Sequence, residues 1–128
     1  MSNIFTSLII AVLSLHFFTI TYRLNGVNRA LFNIPISIFE TSIPLVTDDG
    51  VPEMYFDRNT LNSKLSSYFS ASLKKYVNSY QVDYYYYNQY DDSICRGNMC
   101  DAIEITLNAN VVLTVKYHKV ARFYIQRN

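Results

Sequence analysis

From Ile4 to Tyr22 the chain carries no charged residue. This run of about 19 positions is close to the ~20 apolar residues that a helix needs to cross a bilayer. Thr6, Ser7, Ser14, His16, Thr19 and Thr21 interrupt it, but Ser and Thr hydroxyls can return to helix carbonyls inside lipid. The run therefore predicts a membrane helix. A cleaved signal peptide fits less well, because no Lys or Arg precedes the run and no small-x-small exit follows it. A buried core helix is the third reading, disfavoured by the length of the uncharged stretch. His16 could serve a proton or a metal inside the membrane; a neutral His at an interface is the plainer reading, since no polar partner is visible.

Beyond the run the periodicity changes twice. In NIPISIFETSIPLVTDDG (33–50), Ile36, Ile38, Ile43 and Leu45 alternate around Pro35 and Pro44. That predicts an edge strand over 36–46, ended by the turn signal Asp48-Asp49-Gly50. Next, Leu61, Leu65, Tyr68, Phe69, Leu73, Tyr76, Val77 and Tyr80 recur at a helical spacing after a candidate N-cap, Asp57. An amphipathic helix of about six turns is expected over 57–80, with Lys74 and Lys75 placed where the helix dipole favours cations.

After that the period is two. Val82, Tyr84 and Tyr86 face one way and Asp83, Tyr85 and Tyr87 the other, so the four consecutive tyrosines form a strand with aromatics on both faces. From Ile103 through Leu107, Ala109, Val111, Leu113 and Val115 to Tyr117 every odd position is apolar or small. One long strand, or a hairpin turning at Asn108-Ala109-Asn110, keeps that parity, and the long strand is slightly preferred. Ala121, Phe123 and Ile125 continue the pattern into a last strand. The order predicts an α+β fold: a membrane anchor over 1–30, then a two-layer domain over 31–128 with one amphipathic helix packed on an antiparallel sheet.

Composition sharpens this picture in two respects. Eleven basic and ten acidic residues leave a net charge of +1, and no clustered basic face argues for nucleic acid. The 12 tyrosines, with no Trp, suit half-buried sheet surfaces and binding faces. The candidate binding surface is Tyr85, Tyr87 and Tyr90.

Cys95-Arg-Gly-Asn-Met-Cys100 brackets a turn in which Gly97-Asn98 can take positive φ. A disulfide across the turn is the preferred reading; free thiols and a metal or redox pair remain open. A zinc site wants four ligands, and a redox pair is usually C-x-x-C. A disulfide implies an oxidising compartment, whereas Arg23 and Arg29 after the anchor would hold the domain in the cytoplasm. The cysteines are given the greater weight, so the domain is expected to be extracytoplasmic.

No nucleophile elbow, phosphate loop, zinc-protease helix or dinucleotide fingerprint occurs. His118 with Lys116 and Lys119, the pair Asp91-Asp92, and Asp101 with Glu104 are the remaining catalytic ingredients. They read as a solvated sheet face and its turns. No enzyme, cofactor or metal is expected. In its order of elements, an apolar N-terminal helix feeding a small α+β domain with a meander and a disulfide hairpin, the chain resembles minor pilins and TadE-like pilus-assembly proteins. Those proteins typically carry a Glu early in the apolar segment, whereas the first acid here is Glu40, so no functional residue is carried over. The uncharged run, the lack of catalytic motifs and the tyrosine-rich face lead to the expectation of a membrane-anchored envelope protein with a structural or assembly role, bound to lipid through 4–22 and to another envelope protein, and the resemblance implies a pilus- or secretion-related setting. A small-ligand or polysaccharide module is the alternative.

Overall fold

The apolar run is only part of a longer helix. The computed structural model describes residues 2–40, 45–48, 51–112 and 115–125, and its first element is α1 (Ser2–Phe32). From Ile4 to Phe18 the large apolar side chains of α1 stand exposed. An 18-residue window there has a mean hydropathy of 2.0 with none of it buried, which makes this a helix long and apolar enough to cross a membrane. The last turns behave differently. Val27, Ala30 and Leu31, followed by Ile34, fall at i, i+3, i+4 and i+7 and enter the core.

A short helix, α2 (Ile36–Glu40), follows. The edge strand expected over 36–46 is thus corrected at its first half. Pro35 starts a helical turn, with the Ile38 amide donating to its carbonyl at 3.0 Å. That turn swings Phe39 inward against Phe56 and Phe123, at ring distances of 5.9 and 5.0 Å. Ile36 is left exposed. The strand proper is β1 (Leu45–Asp48), paired antiparallel with β2 (Val51–Met54) so that Asp48 faces Val51. Residues 41–44, Asp49 and Gly50 lie outside the described residues.

The amphipathic helix is α3 (Arg58–Leu73), preceded by the two-residue β3 (Phe56–Asp57). Leu61, Leu65, Phe69 and Leu73 form its buried stripe. It ends about two turns short of expectation. Tyr76 and Val77 both return their amides to the Leu73 carbonyl, and the Asn78 amide bonds Asn110, so the chain leaves the helix to join the sheet. Tyr76 and Val77 still pack on the core, while Tyr80 belongs to the next strand. At the start, Asp57 is extended but caps no backbone amide; its carboxylate accepts from the Thr60 hydroxyl at 3.0 Å, and the Arg58 amide finds the Asn98 carbonyl instead.

The main sheet has the order β4-β6-β7, with β4 (Ser79–Tyr87), β6 (Ala102–Val112) and β7 (Val115–Tyr124) all antiparallel. Neither sequence alternative for 103–117 holds. Asn108, Ala109 and Asn110 are mid-strand, flanked by Gln81, Tyr80 and Ser79 on one side and by His118, Tyr117 and Lys116 on the other. The hairpin turns instead after Val112, which faces Val115, and a bulge between Asn110 and Val112 adjusts the register. Leu113 and Thr114 lie outside the described residues. The odd positions of β6 are buried beneath α3 and the last turns of α1, and its even positions face outward. The fold is α+β, a long apolar helix followed by a helix packed on antiparallel strands. A minor pair, β3 with β5 (Met99–Cys100), ties the start of α3 to the cysteine turn through Phe56 opposite Cys100.

Three polar contacts dock α1 on this core. Arg23 donates to the Val111 carbonyl at 3.2 Å, Tyr117 to Asn28 Oδ1 at 2.9 Å, and Tyr68 to the Ala30 carbonyl at 2.8 Å. Gly26 lets the Tyr76 ring lie on the helix, where a Cβ would come within 2.4 Å of it. Arg23 thus marks the anchor end of β6. Ala102, nine residues along the strand, is about 30 Å further away.

Candidate functional site

The end of the sheet farthest from the anchor carries the densest side-chain chemistry. Its outer face is built by register. Tyr85 faces Glu104, which faces Arg122; Tyr87 faces Ala102, which faces Tyr124. Tyr85 and Tyr87, two residues apart on β4, therefore point the same way and stack at 6.2 Å with their planes 16° apart. Arg122 lies over the Tyr87 ring at 5.4 Å and bonds Glu104 Oε1 through Nε at 3.1 Å. That bond holds the guanidinium above its ordinary value. Burial pushes the Tyr87 phenol up, with Arg122 drawing it partly back.

Of the three expected binding tyrosines, the structure brings two together. Tyr85 is 40% exposed, Tyr87 is buried as the floor of the stack, and Tyr90 stands at the tip almost fully exposed. Tyr87 is thus a support, and Tyr124, exposed on β7, takes its place on the surface. The tip itself is ordered by local bonds. Asp91 accepts from the Ser93 amide at 3.1 Å and hydroxyl at 2.6 Å, which holds its carboxyl below the usual range. Asp92 takes the left-handed conformation at φ 58°, a conformation Asp tolerates. The Gln89 amide reaches Asp101 at 2.9 Å.

Behind this face the cysteines are joined as a disulfide, Cys95 to Cys100, with Cα atoms 6.1 Å apart. Both are buried. The residue that sequence inspection missed is Arg58. Its guanidinium donates to the Cys95 carbonyl, contacts Cys100 Sγ at 3.8 Å and lies 4.7 Å from the centre of the Tyr86 ring. Tyr86 in turn donates to Asn62 Oδ1 at 2.5 Å. Burial pushes its phenol far up, against the pull of Arg58. Arg58 thus clamps the start of α3, the disulfide turn and β4 together. Its partners lie 37 and 42 residues along the chain, so no local pattern pointed to it. Arg122 could have been found from its even parity, once the hairpin register placed it beside Glu104.

His118 sits at the opposite end of the outer face, its Nδ1 bonded to Asn108 Oδ1. Together with Ser79, Gln81, Asn110 and Lys116 it lines a cleft of about 390 Å³. Among the described residues no three His, Cys, Asp or Glu side chains gather as metal ligands.

Comparison with protein-family models, with curated proteins and with solved structures finds no match to this chain.

Proposed function

We propose that this chain is a single-pass envelope protein, anchored in lipid by residues 4–22, whose small extracytoplasmic domain docks another envelope protein in a structural or assembly role, pilus- or secretion-related. The observation that carries the reading is the Tyr85–Tyr87–Arg122–Glu104 arrangement on rigid strands, about 30 Å from the anchor, with Tyr85, Tyr90 and Tyr124 exposed around it. Tyr and Arg are enriched at protein interfaces because they offer large contact area with a polar handle. Rings on strands lose little conformational freedom on binding. The disulfide supports the extracytoplasmic side. Arg23 is engaged with the Val111 carbonyl, which gives it a structural use apart from topology.

A second reading, a small-ligand or polysaccharide module, is favoured by the cleft of Gln81, Asn108, Asn110 and His118, with partly exposed Tyr80 beside it.

The test places a photo-crosslinking amino acid at Tyr85, Tyr90 or Tyr124, and at Lys64 on α3 as control, in the native cell. One discrete protein adduct from the three face positions and none from Lys64 is expected. No adduct from the face, together with glycan-induced shifts at Asn108 and His118, would replace this reading by the second. An impermeant maleimide on intact cells checks the side: labelling of Cys95 and Cys100 only after reduction, without lysis, is expected, and labelling only after lysis would move the domain to the cytoplasm.

A further inference from the structure

We infer that the groove between the last turns of α1 and the C-terminal part of α3 is a seat for the phosphate of an anionic phospholipid headgroup. The inference rests on the membrane anchor proposed above. The groove encloses about 320 Å³ and is lined by Gly26, Arg29, Tyr68, Ser72, Lys75 and Tyr76, among others, with no carboxylate among its described lining residues. Arg29 comes from α1 and Lys75 from the turn that follows α3, and both are exposed. The Arg122–Glu104 pair is the one ion pair among the described residues, so neither cation of the groove pairs with a described acid.

Height above the membrane fits a headgroup. The uncharged run ends at Tyr22, and Arg29 lies about 10 Å further along the helix axis at 1.5 Å per residue. The headgroup layer begins at the end of the apolar run and is roughly 5–8 Å deep; a long guanidinium stem covers the remainder by reaching back toward it. The Tyr22 and Tyr76 rings, 5.6 Å apart, mark the same level, where aromatic rings settle at a membrane interface. Lys116, opposite Asn110 at the anchor end of the sheet, adds a further cation to this pole. The acids of the sheet, Asp83 and Glu104, lie further from it, opposite Thr106 and Arg122. The Gly26 contact fixes the groove by seating Tyr76 on α1. The site is therefore shaped by tertiary packing and is not a loose basic tail.

The test uses the full chain in nanodiscs of mixed phosphatidylglycerol and phosphatidylcholine, with the retained lipids weighed by native mass spectrometry after gentle release. The wild type is expected to enrich phosphatidylglycerol roughly 30-fold, on the scale of two interfacial cations. The Arg29→Gln, Lys75→Gln double variant, whose positions are exposed, should keep its melting temperature in pure phosphatidylcholine and lose that enrichment. Equal retention of both lipids by the wild type, or full enrichment by the variant, overturns the inference. Inorganic phosphate that displaces the lipid at equal concentration also overturns it, in favour of a soluble-anion site. Stable incorporation into pure phosphatidylcholine discs without selectivity would sink this inference and leave the anchor standing; failure to enter any disc would remove both.

Discussion

Residues 4–22 and residues 23–32 belong to one unbroken helix, yet they have opposite surroundings. In the first stretch the large apolar side chains from Ile4 to Phe18 are exposed; in the second, Val27, Ala30 and Leu31 are among the best buried in the molecule. The difference lies in what each segment can pack against. The first stretch has no charged residue and stands clear of the domain through Phe18, meeting it only at its end, where the Tyr22 ring lies 5.6 Å from Tyr76. The second has a single apolar stripe that fits α3 and the sheet, with Asn25, Asn28 and Arg29 left outside. One helix thus combines a segment long and apolar enough to cross a membrane with a core element of the domain, and Arg23, Asn28 and Ala30 tie it to the sheet and α3.

The largest test of this contrast is truncation. A chain starting at Arg23 should remain folded and lose membrane binding, whereas a chain starting at Asn33 should lose its cooperative melting transition. It forfeits two large buried side chains and Ala30, roughly 1.5–3 kcal/mol for each large one, out of a stability typically about 5–15 kcal/mol. Circular dichroism melts and vesicle sedimentation read both outcomes. At single-residue scale, Leu31→Ala should cost about 2–5 kcal/mol, while Leu13→Ala in detergent should stay within about 0.5 kcal/mol. Equal costs would erase the distinction between the halves.

Smaller effects sharpen it. Removing the disulfide with Cys95→Ser and Cys100→Ser should cost about 2 kcal/mol by the chain-entropy argument. Hydrogen exchange should rise at the far end of the sheet and leave Val27 to Leu31 protected. Gly26→Ala should cost about 1–2 kcal/mol net, as overpacking against the Tyr76 ring outweighs the gain in helix propensity. A double-mutant cycle with Tyr76→Ala should recover most of that, and additivity would show that the contact is not the cause.

The mildest test is alkaline pH. Burial raises the Tyr68 and Tyr117 phenols above 10.0, and both donate to α1. The folded state therefore holds these protons more tightly than the unfolded one, so their contribution is fully present below about pH 10 and is lost as pH rises through the raised values. Melting temperature should fall above pH 10, and less steeply in the Tyr68→Phe, Tyr117→Phe double variant. A fall of the same steepness in the double variant would assign the loss to other groups.

Much of this architecture was visible along the chain because it is periodic. The Leu61–Leu65–Phe69–Leu73 stripe and the odd-numbered apolar face of β6 follow from repeats of 3.6 and 2 residues, which backbone geometry imposes locally, and the uncharged stretch is legible from its length alone. The 36–46 strand was misread because Ile36 and Ile38 satisfy a period of two over too short a window, where Ile38 and Phe39 inward make an equally good helical turn. The site was half visible. Tyr85 and Tyr90 are exposed, while Tyr87 is buried with Arg122 over its ring, a residue 35 positions away in sequence.

The sequence by itself determined the long apolar helix, the amphipathic helix, the parity of the strands and the cysteines' bracket around a turn, since each is a property of neighbouring residues. Only the tertiary structure decided where the β6–β7 hairpin turns, that Arg58 clamps the disulfide, and that Arg29 and Lys75 line one groove. Those depend on which distant surfaces meet. Such contacts are selected by packing and by desolvation of the groups brought together, and no local periodicity encodes them.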